Sequence, residues 1–228
     1  MVFLCYFVAL LFNFQEMKPL ANCKLYTFVD TAYLNNRAPE LVAQQLCDGG
    51  SDLIQLRAKK STPEAIRAMA EKILPVTRRA NVGLVINDHL EIARDLGAEF
   101  CHLGQEDFFD AGFKNASALR TPHSALGIGL STHAPEQAQR ALAAGPDYIA
   151  IGPVFATGTK PTAQPVTLDY VRWASANVSI PWFAIGGIHL GNMDDVLAAG
   201  AKRVCVVSAI LNAPDIAQAC AEFRRKLG

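Results

Sequence analysis

The residues most able to do chemistry first occur together in the segment Gln55-Leu56-Arg57-Ala58-Lys59, which follows an apolar run. Side chains alternate faces along an extended chain, so Gln55, Arg57 and Lys59 are predicted to point the same way. One amide, one guanidinium and one ammonium in a row suit a polyanionic ligand such as a diphosphate. Charged residues are mostly exposed, so a strand end in solvent remains the default interpretation of this segment alone.

Short β-branched or aromatic runs alternate with helical patterns from residue 24 onward and predict eight strands. Several runs are apolar without alternation, as strands buried on both faces of a parallel sheet should be. Eight strand-helix units favour an α/β fold, a single-domain TIM (β/α)₈ barrel over residues 17–228, rather than an open doubly wound sheet. The fourth and fifth helices have the least regular patterns. The predicted strands are 24–30, 52–57, 83–87, 99–103, 126–130, 147–151, 182–185 and 203–207.

Polar or glycine-rich residues follow seven of these eight strands, where a TIM barrel carries its active site. Asp88 and Asp107 follow neighbouring strands, so their carboxylates are placed to share one Mg²⁺ ion. Each also has a local alternative, since Asp88 could cap a helix and Asp107 a turn. Their position beside the cationic row favours the metal–diphosphate interpretation.

A second anion site is predicted at the last two strands. Gly186-Gly187 allows backbone amides to approach a phosphate, and Val207-Ser208 opens a helix whose amides would add to them. His102 lies in an apolar strand pattern and is predicted to be a core histidine. His133 follows Ser131 in the fifth loop and is a candidate for a proton role.

Composition limits the classes of partner. The chain has 228 residues, of which 51% are hydrophobic, and Lys plus Arg equals Asp plus Glu at 21 each, so neither a nucleic acid nor a stable membrane contact is expected. Six scattered cysteines without zinc-type spacing predict reduced thiols in a cytoplasmic protein.

Residues 1–16 form an apolar leader that lacks a preceding cation and a cleavage site and is too short to span a bilayer comfortably. We expect Met17 to be the physiological start and the leader to lie outside the fold. N-terminal sequencing of protein made from the native locus tests this expectation.

The motifs QLRAK, VIND, HLGQED, GLSTH, GPVFATGTKP, AIGGI and VVSAI, in this order and spacing, resemble the thiamine-phosphate synthase family over residues 24–227. The resemblance implies Mg²⁺ held by Asp88 and Asp107, and catalysis by Arg57, Lys59, Ser131 and Lys160. It further implies that the diphosphate of 4-amino-5-hydroxymethyl-2-methylpyrimidine diphosphate is bound by Gln55, Arg57, Lys59, Asn87 and Lys160. Ser131 would contact the pyrimidine. The phosphate of the thiazole substrate would be bound by Thr157, Thr159, Gly187, Val207 and Ser208.

The implied reaction is dissociative: the pyrimidine methylene leaves as a stabilised cation, pyrophosphate departs, and the thiazole nitrogen captures the cation to give thiamine phosphate. The family commonly has an acidic residue where Ala58 stands, but strand alternation points Ala58 away from the ligand row.

Two alternatives remain at this point, a thiazole tautomerase of the same fold and a non-catalytic thiamine-phosphate binder. A tautomerase has no departing diphosphate to neutralise, so Asp88 and Asp107 argue against it. The sequence leaves open the preferred thiazole form, carboxylate or decarboxylated, and the oligomeric state, including a homo-oligomer.

Overall fold

The structure is a computed structural model that describes residues 17–120, 125–157 and 165–228. Eight parallel strands pair in chain order and close into a barrel, because the first strand also pairs with the last through Leu25↔Val204 and Tyr26↔Cys205. The predicted TIM barrel is confirmed. The predicted leader at residues 1–16 lies outside the described residues.

The strands fall close to the predicted positions, and their ends differ by at most two residues. They are β1 (Leu25–Asp30), β2 (Leu53–Arg57), β3 (Gly83–Asn87), β4 (Phe100–Gly104), β5 (Gly127–Thr132), β6 (Tyr148–Ile151), β7 (Trp182–Ala184) and β8 (Val204–Cys205). The helices of the described residues are α1 (Pro39–Asp48), α2 (Pro63–Arg79), α3 (Leu90–Leu96), α4 (Gln105–Asp110), α5 (Pro135–Ala143), α6 (Thr167–Asn177), α7 (Met193–Ala198), α8 (Ser208–Leu211) and α9 (Ile216–Leu227).

Burial on both faces explains the strand pattern in the sequence. Every residue of β1 and of β6 is buried, since the barrel interior covers one face and the helices cover the other. An apolar run without alternation is therefore the expected signal of such a strand.

Local signals set the helix ends. The Thr62 side chain accepts a hydrogen bond from the backbone N–H of Ala65 and Pro63 occupies the first turn of α2, as the sequence predicts. Gly97 ends α3 with φ +64°, a conformation in which glycine has no side-chain penalty. The fourth helix, whose pattern was irregular, is only six residues long.

The base of the barrel, opposite the strand ends that carry the polar motifs, is held by Asp52. One carboxylate oxygen accepts from the backbone N–H groups of Lys24 and Leu25 and pairs with Arg224 of α9, and the other pairs with Lys18. These contacts tie the beginning and the end of the described chain to β2. Within the described part of the chain, no helix has both the length and the apolar character needed to cross a bilayer.

Candidate functional site

A cavity of about 170 Å³ opens at the carboxyl ends of the barrel strands. Every predicted site residue that the structure describes lines it. These residues are Gln55, Arg57, Lys59, Asn87, Asp88, Asp107, Ser131, Thr157, Gly187, Val207 and Ser208. Thr159 and Lys160 lie outside the described residues, so their positions stay predictions.

The cationic row at the end of β2 is oriented by two carboxylates. The Arg57 Nη1 atom donates to the Asp30 Oδ2 atom at 2.8 Å, and Asp30 is 1% exposed. The Lys59 Nζ atom lies 2.5 Å from the Asp88 Oδ2 atom, in a more exposed ion pair. Gln55 is buried, and its Nε2 atom donates to the Tyr26 hydroxyl at 2.5 Å. The row therefore reaches the cavity in fixed orientations.

Asp30 is a site residue that the sequence analysis missed. It ends β1, the one strand to which no polar end was assigned, and it pairs in register with Arg57 of β2. Its other oxygen, Oδ1, accepts from the backbone N–H of Ala32 at 2.9 Å. The sequence carried a signal for this residue: Asp30 ends the first apolar run, and Arg57 ends the next strand.

Asp88 and Asp107 are brought to the same cavity by neighbouring strands, as predicted. Asp88 is a non-glycine residue at φ +65°, a strained conformation of the kind that clusters at functional sites. Its backbone N–H donates to the His102 carbonyl at 2.9 Å, and its Oδ2 atom also accepts from the Asn87 amide at 2.7 Å. These contacts hold the carboxylate at the cavity wall.

Asp107 lies in the first turn of α4, immediately after β4. A Cβ atom at Gly104 would lie 2.7 Å from the Asp107 Oδ2 atom, so glycine makes room for this carboxylate. The Asp88 carboxylate pairs with the Lys59 ammonium and the Asn87 amide, and the cap residue of α3 is His89, so Asp88 is not the helix cap that was its local alternative.

Asp88 and Asp107 supply the number of carboxylates that one Mg²⁺ ion needs from a protein when substrate and water complete its coordination. Across residues 17–120, 125–157 and 165–228, no group of three or more His, Cys, Asp or Glu side chains is arranged to hold a metal. Mg²⁺ needs only one or two carboxylates when substrate phosphate and water supply its other ligands. Lys59 already places a cation against Asp88, which shows that positive charge is accommodated there.

The opposite side of the cavity is shaped by two glycines after β7, which pack against the segment that follows β6. Gly186 has φ +102° and Gly187 has φ +64°, and Cβ atoms there would lie 2.4 Å from Pro153 Cα and 2.6 Å from the Ala156 carbonyl oxygen. Only glycine allows this backbone approach. Val207 and Ser208 line the same region, and Ser208 begins the four-residue helix α8, as predicted.

Two histidines, His102 and His133, line the cavity. His102 is 8% exposed and its Nδ1 atom lies 3.1 Å from the Tyr148 hydroxyl, so the predicted core histidine is confirmed, and it also lines the cavity. The His133 Nδ1 atom bonds the Gly152 carbonyl, and its backbone N–H donates to the Gln137 side chain at 2.7 Å. Its proton role stays a prediction.

The buried cysteines keep their protons. Burial raises the pKa of the Cys101 thiol to about 12 and that of the Cys205 thiol well above its usual value. Cys205 is buried and also contributes to the cavity floor. A nucleophilic thiolate is therefore not what this residue offers.

Sequence comparisons with known proteins converge on one family. Residues 25–210 match the family model described as thiamine monophosphate synthase. The chain is 46% identical over 180 residues to a thiamine-phosphate synthase of Thermus thermophilus, covering 78% of this chain and 84% of that protein. It is 37% identical over 208 residues to one of Lawsonia intracellularis, covering 89% and 92%. A thiamine phosphate pyrophosphorylase of Pyrococcus furiosus superposes with a TM-score of 0.75 at 26% identity, covering 90% and 95%.

Proposed function

We infer, from the fact that this chain belongs to the thiamine monophosphate synthase family, that it is a thiamine-phosphate synthase, a transferase of thiamine biosynthesis. In the proposed reaction, 4-amino-5-hydroxymethyl-2-methylpyrimidine diphosphate and thiazole phosphate give thiamine phosphate and pyrophosphate. The observation that carries this proposal is the shared cavity. It has a carboxylate–cation group at one side and a glycine-lined backbone site at the other.

Two anions of different charge need two kinds of site. We assign the diphosphate to the side with Arg57, Lys59 and Asn87, where cations balance a large negative charge. We assign the thiazole phosphate to the side with Gly187 and Ser208, where backbone amides suit a smaller anion. Lys160 is proposed to join the first group, Thr157, Thr159 and Val207 are proposed to join the second, and Ser131 is proposed to contact the pyrimidine.

The chemical step makes one bond and breaks one. The bond between the pyrimidine methylene carbon and the diphosphate oxygen breaks, the electron pair leaves with pyrophosphate, and the thiazole nitrogen forms the new bond to that carbon. Arg57 and Lys59 stabilise the negative charge that develops on the leaving oxygen, and the cavity holds the two substrates close together. Loss of one of these cations should cost about 10²–10³ in rate, by analogy with the loss of an oxyanion donor.

Asp88 and Asp107 are the residues proposed to hold Mg²⁺, which when bound neutralises charge on the diphosphate. With the diphosphate present, Lys59 can exchange its partner Asp88 for a phosphate oxygen, because both members of this pair are partly exposed, with 47% and 29% of their side chains accessible.

We also propose a cytoplasmic location. The five described cysteines are free thiols, which supports a reducing compartment.

Pyrophosphate release from the purified full chain tests the function. The assay supplies both substrates together and each alone, with Mg²⁺ and after chelation with EDTA. Release that requires both substrates and the metal supports the synthase. Release of pyrophosphate from the pyrimidine diphosphate alone contradicts the proposal. Absence of release from a protein that still binds its ligands also contradicts it, and favours a tautomerase or a non-catalytic binder.

A further inference from the structure

A chain of four hydrogen-bonded side chains crosses the barrel beneath the cavity floor. The Gln55 Nε2 atom lies 2.5 Å from the Tyr26 hydroxyl, which lies 3.1 Å from the Tyr148 hydroxyl, which lies 3.1 Å from the His102 Nδ1 atom. The two end residues line the cavity, whereas Tyr26 and Tyr148 do not. We call these four side chains the relay. It connects two residues that contact the ligand space from different strands.

The relay is built into the fold. Tyr26 and Tyr148 are 1% and 0% exposed, and the Tyr148 ring stacks against His102. On the neighbouring strand, a Cβ atom at Gly129 would lie 2.1 Å from the Tyr148 ring, so glycine makes the space that this ring fills. Burial raises the pKa of both tyrosines well above the usual value, so each keeps the proton that it can donate.

The direction of donation along the relay follows from counting protons. Tyr26 accepts from the Gln55 amide, so its own single proton is available for the Tyr148 oxygen. Tyr148 then directs its proton to the His102 Nδ1 atom. The reverse order would require the Gln55 amide to turn over so that Oε1 accepts from Tyr26, so the stated direction rests on Gln55 Nε2 as the donor to Tyr26.

We propose that Tyr26 and Tyr148 are positioning residues that hold the Gln55 amide with Oε1 left to accept from a ligand, and neutral His102 with its proton on Nε2. The proposal deepens the proposed synthase function and rests on it for the identity of the ligand. An accepting oxygen suits an N–H donor of the pyrimidine ring better than a phosphate oxygen, so the proposal places Gln55 at the pyrimidine and not at the diphosphate, to which the resemblance assigned it. The relay therefore contributes to recognition of that substrate.

Steady-state kinetics of Tyr26→Phe, Tyr148→Phe and the double variant give the first test. Each change removes one hydroxyl and keeps the ring. We expect the KM for the pyrimidine diphosphate to rise about tenfold in each single variant, as for a lost hydrogen bond, with the KM for thiazole phosphate unchanged. Because the two hydroxyls act in one chain, the double variant should also show about a tenfold rise rather than a hundredfold one.

The matched control is Tyr170→Phe. Tyr170 is also buried, and its hydroxyl also makes two hydrogen bonds, to the Thr132 side chain at 2.8 Å and to the Ala134 carbonyl at 2.8 Å, but it is not part of the relay. We expect its KM values to match those of the parent. Multiplying effects in the double variant, or equal changes in both KM values, would overturn the proposal.

A spectroscopic readout needs no activity, so it separates failure of the relay from failure of the proposed function. In ¹⁵N-histidine-labelled protein, at a pH where His102 is neutral, its resonance is assigned by its loss in His102→Gln. We expect the pattern of an Nε2–H tautomer in the parent and in Tyr170→Phe, and a mixed pattern in Tyr148→Phe. An Nδ1–H tautomer in the parent would refute the stated direction of donation whatever the kinetics show.

Discussion

Replacement of Asp30 tests whether the contacts that orient Arg57 matter for activity. Its two carboxylate oxygens have different donors, Arg57 Nη1 at 2.8 Å and the backbone N–H of Ala32 at 2.9 Å. Asparagine has almost the same shape but only one accepting oxygen. In Asp30→Asn the amide N–H₂ group must therefore face one of the two donors.

The size of the effect follows from burial. Asp30 is 1% exposed and the Arg57 side chain is 15% exposed, so water cannot readily replace the lost partner. Loss of one charge-assisted hydrogen bond in Asp30→Asn should lower the free energy of unfolding by about 1.5–3 kcal/mol. Asp30→Ala leaves the arginine unpaired and should cost about 3–5 kcal/mol. Because Arg57 also loses its orientation, we expect kcat/KM to fall by about 10–100-fold in Asp30→Asn, the range seen for partners that orient functional ligands.

Urea unfolding and pyrophosphate release measure the two quantities on the same protein. Asp169→Asn is the matched control, since Asp169 pairs with Arg172 on an exposed helix face with 87% and 60% of the side chains accessible. Its free energy of unfolding should stay within about 0.5 kcal/mol of the parent. Unchanged turnover in Asp30→Asn, with stability lost as expected, would refute the claim that Asp30 orients Arg57 for function.

Three further predictions concern separate parts of the molecule. Asp107→Ala should abolish most turnover and leave thiazole phosphate binding by calorimetry nearly intact; an equal loss of that binding would contradict the assignment of two anion sites. Gly187→Ala should weaken thiazole phosphate binding, because the added Cβ atom would lie 2.6 Å from the Ala156 carbonyl oxygen. Unchanged affinity for thiazole phosphate would refute this prediction. Burial raises the pKa of Glu99 above 4.5, so its folded state binds the proton more tightly, and parent stability should fall as pH rises through the raised pKa. In Glu99→Gln, urea unfolding measured between about pH 4 and 7 should no longer show this fall in the free energy of unfolding. A pH profile equal to that of the parent would contradict the prediction.

Much of the fold could be predicted from local pattern. Continuous apolar runs such as Tyr148–Ile151, and helix starts such as Thr62-Pro63, depend on residues close in sequence. The side chains that line the cavity could also be predicted, because parallel strands in a barrel all deliver their carboxyl ends to one face. This geometric rule places Asp88 and Asp107 together without any knowledge of their contacts.

The partners of those side chains could not be predicted in the same way. Asp30 meets Arg57 across 27 positions, and Tyr26 meets Tyr148 across 122 positions and the full width of the barrel. Such pairs depend on how the strands align in three dimensions, so the sequence shows each residue of a pair but not that the two meet.

The sequence by itself therefore determined the class of fold, the family and the set of residues at the cavity, since each rests on short motifs in order. Only the tertiary structure decided that His102 belongs to the cavity floor, that Asp30 holds Arg57, and that two buried tyrosines join Gln55 to His102. Pairing of β1 with β2 forms the contact between Asp30 and Arg57, and closure of the barrel brings Tyr26 of β1 and Tyr148 of β6, which are far apart in the chain, into one interior.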